Sequence, residues 1–173
     1  MKKSFYLLFV VFLFGGCQPR YLGKFPIPDN LRSVLKDRDT LCYKDSMTSR
    51  IDTFVITVLD HFVTEDESGD YENISIDYNR VKSTSKHYML NSCQSGTGVE
   101  INAYGYYFDG ARINQTYNIR KNIKINGITY PDIYIVSRDY LSDTIPKIIY
   151  FTFQQGILRY DYPDGRHYDR ISK

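Results

Sequence analysis

Apolar and polar residues alternate over most of the chain, with the period of a β-strand that buries one face. Short clusters of Gly, Asn, Asp, Ser and Pro separate these runs from Thr40 onward. The run at 53–63, TFVITVLDHFV, is continuously apolar and rich in β-branched residues, which predicts a central strand covered on both faces. The other runs that predict strands are 40–43, 72–78, 87–90, 99–108, 123–130, 133–136, 147–153, 157–162 and 166–171.

The turn signals between these runs are specific. Asn126-Gly127 joins two alternating segments, and both residues accept the positive φ angles of a type I′ hairpin turn. Gln154-Gln155-Gly156 and Pro163-Asp164-Gly165 predict two further hairpins, and 29–35 predicts one or two helical turns. Eight to ten short strands with regular turns predict a single all-β domain over 31–173, either an antiparallel β-sandwich or an open or half barrel.

The composition supports strands and excludes some partners. The 173 residues include 17 Tyr and 10 Phe, whereas Ala, the best helix former, occurs only at Ala103 and Ala111. The chain carries 22 Lys+Arg and 20 Asp+Glu with no basic block, which argues against a nucleic-acid-binding surface.

The first residues have the organisation of an export signal. A basic start precedes the apolar run 5–14, which is too short to span a bilayer, because a spanning helix needs about 18 residues or more. The run ends in Phe14-Gly15-Gly16-Cys17, which resembles the lipobox of bacterial lipoprotein precursors, although that family usually has an aliphatic residue where Phe14 stands. An ordinary secretory signal and an uncut anchor are the alternatives.

The lipobox resemblance implies a signal peptide over 1–16, lipidation of Cys17 (including palmitate) and a lipid-bearing tether over 17–30. Loss of the signal would remove two lysines and leave equal numbers of basic and acidic residues. Gln18 after the lipid-bearing Cys resembles the sorting pattern of Gram-negative lipoproteins and implies the outer membrane, facing the periplasm. The stretch from IKINGITY to the closing YPDGRHYDRI also resembles small uncharacterised lipoproteins of Gram-negative gut anaerobes, which implies location and fold but no activity.

Two cysteines remain beyond the signal. In an oxidising compartment Cys42 and Cys93 are expected to form a disulfide, worth about 4 kcal/mol for a loop of about 50 residues. The alternative is two free thiols that pack as small apolar groups. Neither cysteine has a CxxC partner or a histidine at ligand spacing, so no metal site and no Cys nucleophile are expected.

The sequence contains no recognisable catalytic set. His61, His87 and His167 lie in or beside predicted strands, and no Gly-x-Ser-x-Gly motif accompanies them. Asp60 and His61 are neighbours on a strand, so their side chains point to opposite faces. We therefore expect no enzyme and no cofactor.

The best candidate for ligand binding is the aromatic segment at 104–108. Alternation places Tyr104, Tyr106 and Phe108 on one face, and Gly105 permits close approach to the backbone. The alternative is that these rings form the core of a protein that has no Trp.

Together these patterns predict an outer-membrane-anchored, non-catalytic binding or envelope-assembly module. Its partner is expected to be an envelope protein or a small ligand. The alternative is a calycin-like carrier of a lipid or glycan, which would need an apolar lumen with a few convergent polar groups.

Overall fold

The computed structural model describes the backbone of residues 22–66, 69–81, 86–93, 96–103, 106–112, 119–137 and 146–172. Side chains are described for 22–62, 69–81, 119–137 and 146–171. This part of the chain is all-β, as predicted, and contains no helix that is long and apolar enough to cross a membrane. Its strands are β1 (Lys24–Phe25), β2 (Thr40–Asp45), β3 (Ile51–Asp66), β4 (Gly69–Arg80), β5 (Lys86–Cys93), β6 (Gly96–Ala103), β7 (Tyr106–Arg112), β8 (Ile119–Ile125), β9 (Ile128–Ser137), β10 (Ile148–Thr152), β11 (Gly156–Asp161) and β12 (His167–Ser172).

All these strands belong to one open, mixed sheet. Its order is β7-β6-β5-β4-β3-β2-β12-β11-β10-β9-β8, and the short β1 pairs in parallel with β4 at the side of this path. Sequential hairpins build both halves of the sheet, and the pairing of β12 with β2 joins them. The strand count exceeds eight to ten because the run predicted at 99–108 forms two strands, β6 and β7, and because β1 was not predicted.

The sheet curls on itself. In a flat sheet β4 and β11 would be about 19 Å apart, four strand spacings of about 4.8 Å. Nevertheless, the Ile157 amide donates to the Tyr78 hydroxyl at 3.0 Å, and the Tyr43 hydroxyl donates to the Ile157 carbonyl at 2.7 Å. The concave side is therefore filled with side chains from both halves of the sheet. The fully buried members of this core include Tyr43, Tyr78, Tyr160, Phe54, Phe151, Ile27, Leu41, Ile56 and Ile76.

The hairpin between β8 and β9 has the turn that was predicted. Asn126 and Gly127 have φ angles of 46° and 84°, both positive, as a type I′ turn requires. Gly156, the first residue of β11, also has a positive φ angle of 69°. A Cβ atom at this glycine would overlap the Tyr78 hydroxyl, so the close approach requires glycine.

Over residues 51–59, strand β3 is covered on one face only, which corrects the prediction of a strand buried on both faces. Asp52, Phe54 and Ile56 are buried on the concave side. On the other side Ile51 is 53% exposed and Leu59 is 59% exposed. The apolar composition of β3 was misleading because outward β-branched residues stabilise an extended strand even where nothing covers them.

The predicted disulfide between Cys42 and Cys93 is not formed, and Cys42 is a free thiol. Cys42 lies in β2 and Cys93 ends β5, so three strand spacings, about 14 Å, separate their strands. The register displaces the two residues by a further ten positions, about 33 Å, along the strands. A bridge requires Cα atoms within about 7 Å, so this topology is incompatible with it.

Part of the segment predicted as a tether is docked on the sheet. β1 pairs with β4, Phe25 stacks on Tyr71 with ring centroids 5.0 Å apart, and Ile27 is 1% exposed. The turn that follows has one helical hydrogen bond, from the Arg32 amide to the Pro28 carbonyl, and no helix. We call residues 23–36 the strap, because they cross from β4 to the turn between β10 and β11.

Candidate functional site

A polar cleft of about 210 Å³ lies on the surface at one end of the sheet. The turn between β2 and β3, the start of β12 and the turn between β8 and β9 meet there. The side chains that line the cleft are Lys44, Asp45, Ser46, Ser49, Asn126, His167, Asp169 and Ile171.

The pairing of β12 with β2 creates this cleft. It places Asp169 opposite Lys44 and Tyr168 opposite Asp45. Beyond the last pair, the Ser46 amide donates to the His167 carbonyl at 2.9 Å, and the His167 amide donates to the Ser46 hydroxyl at 3.2 Å. The side chain of Asn126 reaches β12 from the third element, with its Nδ2 3.4 Å from the Arg170 carbonyl. Backbone pairing thus holds Lys44, Asp45, Ser46, His167 and Asp169 in place.

Asp45 forms the floor of the cleft and is 2% exposed. Its Oδ1 accepts hydrogen bonds from the Met47 amide at 2.7 Å and the Thr48 amide at 3.1 Å, which closes the turn after β2. Burial alone would raise the pKa of Asp45, but these amides and the Tyr168 hydroxyl hold that pKa below its usual value. The hydrogen bonds of the Asp45 carboxylate therefore serve to stabilise the fold.

The hydrogen bond between Asp45 and Tyr168 also changes the pKa of Tyr168. Burial, the hydrogen bond to Asp45 and the negative charges of Asp45 and Asp52 together raise the pKa of Tyr168 to about 12. The phenol therefore stays protonated at neutral pH and remains a donor to Asp45.

Asp169 is the carboxylate of the cleft whose partners are weakest. Its Oδ1 is buried and makes no hydrogen bond in the structure as described, and the nearest cation is Arg159 Nε at 3.8 Å. Its Oδ2 is 3.8 Å from His167 Nε2. Lys44, opposite Asp169 on β2, is exposed and has no ion-pair partner among the described side chains. The cleft thus presents a free ammonium group, an imidazole and hydroxyl groups around an incompletely paired carboxylate.

Ser46, His167 and Asp169 have the residue types of a catalytic triad but not its geometry. A triad needs the imidazole within hydrogen-bond reach of the nucleophile. Here the Ser46 hydroxyl accepts from the His167 backbone, while Nε2 of the imidazole faces Asp169. Nor do the described side chains contain a group of three His, Cys, Asp or Glu residues that could hold a metal ion. This arrangement suits recognition of a polar group better than nucleophilic attack.

A second charged cluster lies at the other end of β3, beneath the strap. Glu72 has a side-chain exposure of 3% and accepts from the Ile27 amide at 2.6 Å. Arg32 pairs with both oxygens of Glu72, at 2.6 and 2.9 Å, and donates to Asp60 at 3.0 Å. Burial, followed by the charge and hydrogen bond of Glu72, raises the pKa of Asp60. Because Glu72 is fully occupied, this cluster fastens the strap and is not a binding site.

The described lining of the cleft contains none of the predicted site residues. Tyr104 and the side chains of Tyr106 and Phe108 lie outside the described residues, as do Cys17 and the side chain of Cys93. His61 lies opposite Asn73 on the convex face of the β3–β4 hairpin, away from its neighbour Asp60. None of the cleft residues was predicted as a site residue from the sequence. Only the pairing of β2 with β12, more than 120 positions apart, brings them together.

No protein-family model, curated protein or solved structure matches this chain.

Proposed function

We propose that the chain is a lipoprotein of the outer membrane, anchored through Cys17, that binds an envelope protein at the polar cleft and has no catalytic activity. The cleft around Asp169 carries this proposal. It is the place in the described structure where an exposed ammonium group and an incompletely paired carboxylate lie side by side.

The dimensions of the cleft favour a protein partner. Pockets that enclose small-molecule ligands usually have volumes of about 300–1,000 Å³ and mostly apolar walls. At about 210 Å³, with a lining dominated by charged and polar groups, this cleft suits a polar side chain or a turn of a partner protein. A charged residue of the partner could pair with Lys44 or Asp169. Such complementary charges fix the orientation of the partner and the specificity of binding.

The carrier alternative has less support. A carrier of a lipid or glycan needs enclosed space with apolar walls. The concave side of this sheet contains closely packed rings instead, with Tyr43 and Phe54 5.4 Å apart and Tyr160 and Tyr168 4.9 Å apart. A surface cleft therefore fits the described residues better than an internal cavity.

The proposal can be tested by photo-cross-linking in intact cells. A benzophenone amino acid replaces Lys44 in the cleft or, as the control, Thr57, another exposed strand position outside the cleft. We expect one discrete protein adduct from position 44 and none of that mass from position 57. Asp169→Ala should reduce the adduct several-fold at unchanged protein level. The same adduct from both positions, or an adduct insensitive to Asp169→Ala, would contradict binding at the cleft.

A further inference from the structure

The N-terminal chain leaves the domain at one particular end of the sheet. The Asp70 amide donates to the Gly23 carbonyl at 3.0 Å, and β1 runs parallel to β4 from there. β4 begins at Gly69, which pairs with Asp66 at the end of β3. Because β1 and β4 run in the same direction, the chain enters β1 from the end of the sheet at which β4 begins. We call this end of the sheet the tip.

The docked strap leaves little free chain between the tip and the proposed lipid. Six Cα–Cα steps separate Cys17 from Gly23, and even a fully extended chain of that length spans at most about 21 Å. A freely mobile tether over 17–30 would have reached about twice as far. With Cys17 in the bilayer, the tip is therefore restricted to the neighbourhood of the lipid headgroups.

Exposed apolar side chains and a cation lie at the tip. Leu22 is 53% exposed and Phe62 is 44% exposed. Lys24, also exposed, has its Nζ 5.0 Å from the centre of the Phe62 ring. We call these three residues the tip patch. Apolar and basic side chains together are favoured at a membrane interface, where the apolar groups contact acyl chains and the ammonium group contacts headgroups.

The charge of the surrounding sequence indicates which headgroups fit. In the sequence, Glu65, Asp66, Glu67 and Asp70 cluster where β3 ends and β4 begins, so an anionic surface would repel the tip. A zwitterionic headgroup offers an ammonium group to carboxylates and a phosphate group to Lys24. Phosphatidylethanolamine has this chemistry.

We propose that the tip patch of Leu22, Lys24 and Phe62 contacts a surface rich in phosphatidylethanolamine and holds the domain upright on the membrane. This inference rests on the proposed lipid anchor at Cys17. Residue 62 lies eleven residues along β3 from Ile51, which pairs with Lys44 of the cleft, so the patch and the cleft are about 36 Å apart. The cleft is then presented to the periplasm at the end of the domain farthest from the bilayer.

Photo-cross-linking to lipid tests this orientation. The full chain, processed and lipidated in a Gram-negative host, carries a benzophenone amino acid in place of Phe62 or, as the matched control, Ile128. Ile128 is 57% exposed and follows the turn beside the cleft. The protein is reconstituted into vesicles of phosphatidylethanolamine or of a mixture with phosphatidylglycerol, and phospholipid adducts are measured by mass spectrometry after irradiation.

We expect several-fold more phospholipid adduct at position 62 than at position 128, and a decrease at position 62 when phosphatidylglycerol is added. Equal adducts at both positions in protein that floats with the vesicles would overturn the tip contact and leave the anchor intact. Adducts at position 62 only to protein would also overturn it and assign the patch to a protein partner. Failure of the protein to float with the vesicles would instead refute the anchor, and the tip contact with it.

Discussion

The Glu72→Gln substitution tests how much the contacts of Glu72 with the strap contribute to the stability of the domain. Glu72 accepts from the Ile27 amide and from both terminal nitrogens of Arg32, and its side chain is 3% exposed. Glutamine preserves the shape but removes the charge and replaces one acceptor oxygen with a donor NH₂ group. Whichever way the amide is oriented, that NH₂ group faces a donor. The buried interactions would therefore be partly lost.

The expected cost follows from the burial of the partners. Removing one member of a buried ion pair costs about 3–5 kcal/mol, because the other charge is left unpaired. Arg32 is 36% exposed and keeps its contact with Asp60, so water and Asp60 compensate in part. We therefore expect Glu72→Gln to lower the free energy of unfolding by about 2–3 kcal/mol. For a domain of this size this corresponds to a decrease in Tm of about 5–10 °C.

Equilibrium urea unfolding of the wild type and the variant measures this difference, with Asp29→Asn as the matched control. Asp29 also approaches Arg32, at 4.0 Å, but its side chain is fully exposed, so its loss should cost less than about 0.5 kcal/mol. Hydrogen exchange provides a local measurement, because the Ile27 amide should lose protection in Glu72→Gln before the core does. If both variants unfold within about 0.5 kcal/mol of the wild type, the strap is not fastened by Glu72 and the reasoning is wrong.

Three further predictions concern the anchor, the thiol and a turn. Cys17→Ser should move the protein from the membrane fraction to the soluble periplasmic fraction, and its retention would contradict lipidation at this residue. Cys42→Ser should change Tm little, and the wild-type thiol should be alkylated without reductant; a marked decrease in Tm would indicate a bridge after all. Gly156→Ala should destabilise the domain far more than Gly127→Ala in calorimetry. Both positions have positive φ, but only at Gly156 would the new methyl group overlap the hydroxyl of Tyr78, and equal losses would exclude that overlap.

The sequence predicts the local parts of this fold well because their determinants are local. Asn126-Gly127 fixes a hairpin through the backbone preferences of two adjacent residues, and the predicted turns before β11 and β12 form in the same way. The alternation of buried and exposed residues in β2, β4 and β10 can likewise be predicted without information about distant residues. The all-β class follows from the sum of such signals.

The long-range pairings are not encoded so directly. Nothing in the spacing of Lys44 and Asp169 indicates that they lie opposite each other, since the match of β2 with β12 depends on how the whole sheet closes its core. The cleft was missed for this reason. The predicted disulfide failed for a related one, because two cysteines specify a possible pair but not the strand order that sets their distance.

One long-range contact determines where the strap lies on the domain. Residues 17–30 contain three prolines and little periodicity, which is typical of a tether. Ile27 and Arg32 nevertheless bind the buried carboxylate of Glu72 in β4. A single acceptor of this kind can order a segment whose own composition favours no structure. Because the Gly23 carbonyl already pairs with the Asp70 amide, the proposed lipid on Cys17 would hold this end of the sheet within about 21 Å of the bilayer. Under the proposed anchor, the contacts of Glu72 would therefore determine which end of the sheet faces the membrane and, through the length of β3, where the cleft is presented.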